Sequence, residues 1–136
     1  MIIKGGVHID NRGKITFVNA FDLSLTKRFY TVQHTNTDVI RAWQGHKLET
    51  KWFYVIKGSF KIAKVKINDW DNPINNTIVE NYFMSAKNPE ILQIDPGFAN
   101  GFKALEPESI VVIYSNLTLK ESELDLIRFP ENFWKL

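Results

Sequence analysis

At 136 residues, 44% hydrophobic and 24% charged, the chain has the balance of an ordinary globule and room for one domain, residues 1–136. It contains no cysteine, which excludes a disulfide scaffold, a thiol nucleophile and a thiolate zinc site together. Seventeen basic and fifteen acidic residues are scattered to a net charge of +2, without the basic stripe that nucleic acid requires. No apolar run is long enough for a signal peptide or a membrane span, so the cytoplasm is the expected compartment.

In chain order, short apolar stretches recur between turn residues, the pattern of an all-β sandwich or barrel. His8 falls in an N-terminal arm expected to be mobile. After the Asp10–Gly13 turn, Lys14 to Ala20 reads as a strand. Lys27 to Gln33 alternates, with Arg28, Tyr30 and Val32 on one side. Val39 to His46, Lys51 to Lys57 and Ser59 to Ile67 follow. In the last of these Phe60 and Ile62 share one face and Val65 and Ile67 the other, so a bulge is expected near Ala63 and Lys64. Asn68 to Asn76 is a surface loop rich in turn-formers. Asn81 to Ser85, Ile91 to Ile94, Gly101 to Leu105 and Ile110 to Ser115 complete the strands, with a type II turn at Asp95-Pro96-Gly97. Lys120 to Arg128 reads as the one short helix, ended by Phe129-Pro130.

Of three histidines, only His46 has chemical company. It ends a segment bearing Arg41, Trp43 and Gln44, and Lys51 opens the next strand. Antiparallel pairing can bring Gln44, His46 and Lys51 into one barrel mouth. A histidine moves a proton at neutral pH and a nearby cation steadies an enolate, which is the equipment for proton abstraction beside a carbonyl. The alternative is that His46 caps a strand and Arg41, Lys47 and Lys51 are solvated surface. In an unbroken strand Arg41 faces away from Gln44 and His46, so convergence needs a break, for which Gly45 is the expected place. In Ile94 to Phe102, two glycines flank Phe98 and Asn100, which either present a ring and an amide to a ligand or form a packed barrel corner. The four tryptophans read as core or subunit contacts.

Arg41-Ala-Trp-Gln-Gly-His46-Lys47 resembles the Arg-Gly-X-His-Ala-His-Lys signature of the dTDP-sugar 3,4-ketoisomerases. Ile94 to Leu105 is similar to a segment of the dTDP-4-dehydrorhamnose 3,5-epimerases, as are Asp10-X-Arg12-Gly13 and Lys51 ahead of Gly58. The resemblance spans roughly Asp10 to Phe129. It implies a cupin jelly-roll β-sandwich without metal or cofactor, a nucleotide-diphosphate sugar as ligand, and a homodimer with exchanged N-terminal strands. It implies His46 as base, Lys51 and Arg41 beside the sugar, and Arg12 on the diphosphate; Gln33, Gln44, Phe98 and Asn100 complete the binding set.

The departures narrow the chemistry. Metal-binding cupins use paired histidines, a glutamate and a later histidine, whereas here His46 has Glu49 nearby but Gln44 and Asn100 in the other places, too few ligands for a transition metal. No tyrosine acid lies near Leu117 to Lys120, and Asp125 is a poor substitute for the carboxylate that orients the epimerase histidine. Double epimerisation is therefore not expected. Isomerisation or single epimerisation through an enediol is, with a non-catalytic nucleotide-sugar-binding cupin as the alternative.

Overall fold

The computed structural model describes Met1–Leu136 and contains twelve strands and one short α-helix. The strands are β1 (Ile2–Lys4), β2 (Gly6–Asp10), β3 (Gly13–Phe17), β4 (Arg28–Gln33), β5 (Ile40–His46) and β6 (Lys51–Lys57). They continue as β7 (Ser59–Lys66), β8 (Val79–Ser85), β9 (Glu90–Ile94), β10 (Phe98–Ala104) and β11 (Ile110–Ser115). Helix α1 (Leu119–Asp125) then leads into β12 (Leu126–Arg128). Two five-stranded sheets, ordered β1-β9-β6-β11-β4 and β12-β5-β10-β7-β8, pack face to face, and β2 and β3 form a separate hairpin. Every pairing is antiparallel. No helix is long and apolar enough to cross a membrane.

The main core fills the space between the sheets. Phe53, Val55, Leu92, Ile94, Val111 and Ile113 come from one sheet, and Phe60, Ile62, Met84, Phe102 and Ala104 from the other. A second cluster lies outside the second sheet, where Trp43, Ala63, Val65 and Ala99 are covered by Phe129 and Trp134 of the C-terminal tail. Trp43, Trp52 and Trp134 are buried, as the tryptophan pattern predicts.

These two clusters explain the phase change in Ser59–Lys66, which is not a bulge. Strand β7 pairs in unbroken register with both β10 and β8. Phe60 and Ile62 face the inner core while Ala63 and Val65 face the outer one, so the strand is apolar on both sides. The inner face simply becomes polar at Lys64 and Lys66.

The bulge lies instead on β5. His46, Gly45 and Gln44 pair with Phe98, Ala99 and Asn100, but Arg41 pairs with Phe102, a register shift between Arg41 and Gln44. Partners across a ladder share a face, so Arg41 joins Gln44 and His46 on the inner side while Trp43 points outward. Gly45 is not the break: an added Cβ would stand 2.7 Å from the Trp70 ring and 2.9 Å from Phe129, so glycine serves close packing. The N-terminal arm, expected to be mobile, forms β1 and β2, with His8 in the latter. The helix ends at Asp125, earlier than the pattern suggested, because Leu126–Arg128 are drawn into pairing with β5. Thr118 and Glu121 close its N-terminus with a capping box.

Candidate functional site

At one end of the sandwich the apolar interior gives way to polar side chains. Alternation brings Arg28 and Tyr30 inward from β4, Lys51 from β6, Lys64 and Lys66 from β7, and Phe98 and Asn100 from β10. The β5 bulge adds Arg41, Gln44 and His46. Of the residues singled out in the sequence, Arg41, Gln44, His46, Lys51, Phe98 and Asn100 thus share the inner face.

His46 Nδ1 lies 2.9 Å from Glu49 Oε2 and 3.6 Å from Asp125 Oδ2. Both ring nitrogens are buried and neither makes a well-aligned hydrogen bond, so the Glu49 approach to Nδ1 is a close ion-pair contact. Glu49 Oε1 accepts from the Ser115 hydroxyl and from Arg28 Nη2 at 3.3 Å, and Oε2 accepts from Ser122 at 3.0 Å. Burial alone would raise the Glu49 pKa; the His46 contact, the Lys51 charge and the Ser115 hydroxyl outweigh it and bring it down to about 2. Glu49 is therefore a permanent anion that holds the ring.

Asp125 accepts the backbone N–H groups of Lys47, Leu48 and Glu49 at 2.9–3.2 Å, fixing the turn between β5 and β6. Lys51 Nζ donates to Gln44 Oε1 at 3.3 Å, and Asn100 Nδ2 donates to the Gln44 backbone carbonyl at 3.2 Å. Burial brings the Lys51 pKa down to about 8; Arg28 and Arg128 push the same way, against Glu49 and Asp125. Tyr30 lies under the Arg28 guanidinium, 4.9 Å from its ring centroid. Burial, then the Glu49 charge, pushes its phenol up to about 12, so it stays a proton donor at neutral pH.

His46, Glu49 and Asp125 also bring three ligand-type atoms within 4.8 Å, a group the histidine count did not foresee. They do not fit a metal. The Asp125 oxygens are committed to backbone N–H groups and those of Glu49 to two hydroxyls and a guanidinium, so a cation would have to displace them.

Two expected residues stand elsewhere. Gln33 ends β4 at the far end from Arg28 and lines a cleft of about 390 Å³ with His34 and Glu108. Arg12 sits at the hairpin tip, bound to Asp10 at 2.7 Å beside a cleft of about 220 Å³. Within one chain neither joins His46.

Arg28, Tyr30, Lys64 and Lys66 were not foreseen as site residues, and Glu49 was weighed only as a metal ligand near His46. The Arg28–Tyr30 alternation was the available signal for two of them. Asp125, read as a poor orienting carboxylate, does come within reach of His46, but Glu49 is the nearer one.

No family model and no curated protein matches the sequence. Solved structures do. A sugar 3,4-ketoisomerase from Thermoanaerobacterium thermosaccharolyticum, in complex with TDP, superposes with a TM-score of 0.72 at 20% identity over 98% of this chain and 90% of that one. A dTDP-4-dehydrorhamnose 3,5-epimerase from Bacillus anthracis, with TDP and PPi bound, gives 0.76 at 19% over 96% and 78%. The TDP-quinovose 3,4-ketoisomerase from Campylobacter jejuni gives 0.70 at 19% over 98% and 95%. The chain therefore has the all-β cupin jelly-roll fold found in dTDP-sugar ketoisomerases and epimerases.

Proposed function

We propose that the protein is a nucleotide-sugar isomerase or epimerase acting next to the ketone of a dTDP-4-keto-6-deoxyhexose. The observation that carries this reading is the buried His46–Glu49 pair beside Lys51, in a fold whose solved examples bind TDP and act on such sugars. Glu49 lies against the Nδ1 side of the imidazole as an anion, and Nε2 meets no protein group, so it is the nitrogen that can take a substrate proton. His46 takes the proton from C3, the C–H electrons form the C3–C4 double bond, and the C4 carbonyl oxygen becomes the enediolate. Lys51 or Arg41 supports that oxygen. Return of the proton to C4 by His46, with the C3 hydroxyl proton passing to the C4 oxygen, gives the 3-ketone; delivery of a proton to the opposite face of C3, by a water held by Gln44, gives the epimer.

The test is proton NMR of dTDP-4-keto-6-deoxyglucose with the protein in heavy water. Exchange at one sugar carbon is expected, and a His46→Ala variant should lose it while still broadening the ligand lines. Full exchange in that variant removes the proposed base.

One observation favours a second reading, a non-catalytic nucleotide-sugar-binding cupin. His46 and Lys51 are only 3% and 4% exposed, whereas Arg41 is open to solvent. That reading expects line broadening without exchange.

We also propose a homodimer built through the β2–β3 hairpin, which pairs with no other strand and exposes Ile9 and Ile15. The exchange would carry Arg12 to the partner's site.

A further inference from the structure

The inner face of β7 poses an electrostatic problem that the proposed chemistry does not use. Lys64 and Lys66 lie two residues apart on one face of the strand. Their ammonium groups converge on a single ring, at 4.7 and 4.9 Å from the Phe98 centroid. Like charges on one strand face repel. The ring's π-face offsets only part of that repulsion. Lys64 has one carboxylate, Glu80, at 3.6 Å, and that group is half exposed and also accepts the Tyr82 hydroxyl. Lys66 has no ion pair. Lys64 is nearly buried, so its charge is neither diluted by water nor free to swing away.

Lys66 is exposed and Phe98 half-buried, so the pair meets solvent at the Lys66 end. The cleft that Lys66 also borders, with Ile67 and Trp134, opens on the outer side of the sheet and is not part of this cluster. On the other side, Asn100 pairs across the ladder with both Lys64 and Gln44, so the lysines adjoin the sugar position without touching His46.

We infer that Lys64 and Lys66, set around Phe98, form an anion subsite that holds a phosphate or carboxylate group of the ligand at the edge of the barrel mouth. The inference rests on the nucleotide-sugar reading only for the ligand's identity; the subsite itself follows from the paired cations. An anion between them converts the repulsion into two charge-assisted contacts. It adds a phosphate contact from the chain that carries His46 to the one that the resemblance gives Arg12 of the partner subunit.

The experiment is isothermal titration of the full chain with inorganic pyrophosphate, TDP and glucuronate, using wild type, Lys64→Gln, Lys66→Gln and Lys87→Gln. Pyrophosphate and TDP are expected to bind, with the Lys64 and Lys66 changes each weakening them about tenfold and Lys87→Gln, an exposed lysine in the turn after β8, leaving pyrophosphate unchanged. Glucuronate binding that is lost with the lysines, without pyrophosphate binding, would assign the subsite to a sugar carboxylate instead of a diphosphate. Failure of all three anions to bind wild type, or affinities unchanged in both lysine variants that keep their native circular dichroism, would overturn the subsite. Lysine-dependent pyrophosphate binding without tighter TDP binding or sugar exchange would leave the subsite standing and remove the nucleotide-sugar reading.

Discussion

At the scale of single residues, the site is organised by a carboxylate with no water around it. Glu49 holds His46, Arg28, Ser115 and Ser122 at once and stays ionised down to about pH 2. Lys51 is the group that titrates in the working range. Its pKa of about 8 lies below that of free lysine because burial disfavours the ammonium. If the ammonium supports the enediolate, turnover falls as pH rises through about 8, since deprotonation removes the charge. In Lys51→Arg that alkaline limb should vanish, because guanidinium stays charged. A kcat–pH profile unchanged by Lys51→Arg would show that Lys51 has no electrostatic part in the step. His46 and Lys51 were legible as a pair because strand-end positions and chemical type sufficed. Glu49 stood three residues from His46, but its part as the ring's anchor was not legible, because its bonds to Ser115 and Ser122 span 66 and 73 residues.

At the scale of elements, two strands decide what the mouth contains. On β5 the shift between Arg41 and Gln44 turns three polar side chains inward, and Gly45 then lets Trp70 and Phe129 lie against the backbone. Gly45→Ala should therefore destabilise the fold by about 1–3 kcal/mol, as overpacking does. Urea unfolding measures it, and an unchanged midpoint would mean that the two rings move aside freely. On β7, two apolar faces looked like a phase slip, because alternation assumes that one face is wet. Most strand positions could be read from apolar runs and turn residues. The β5 shift could not, since it is set by pairing with β10, and β1 and β2 could not, since short strands beside two glycines carry little periodicity.

At the scale of the whole molecule, the β2–β3 hairpin shows an exposed isoleucine on each face, Ile9 at 73% and Ile15 at 60%. Replacing both by aspartate should turn the expected dimer into a monomer in light scattering while the circular dichroism stays unchanged. A dimer that survives would place the interface elsewhere. The sheet order has a further consequence, in time. Only β2–β3 and β7–β8 join strands that follow one another in the chain; every other neighbour comes from far away in sequence. The two hairpins can zip early, whereas each remaining pairing must first close a long loop, which makes this a slow class of topology. Glu49 meets Ser115, and Asp125 meets the turn at Lys47, only after β11 and α1 have docked. The charges that define the site thus come together only as the sandwich itself closes, so the centre is a product of the whole topology and no single hairpin carries it.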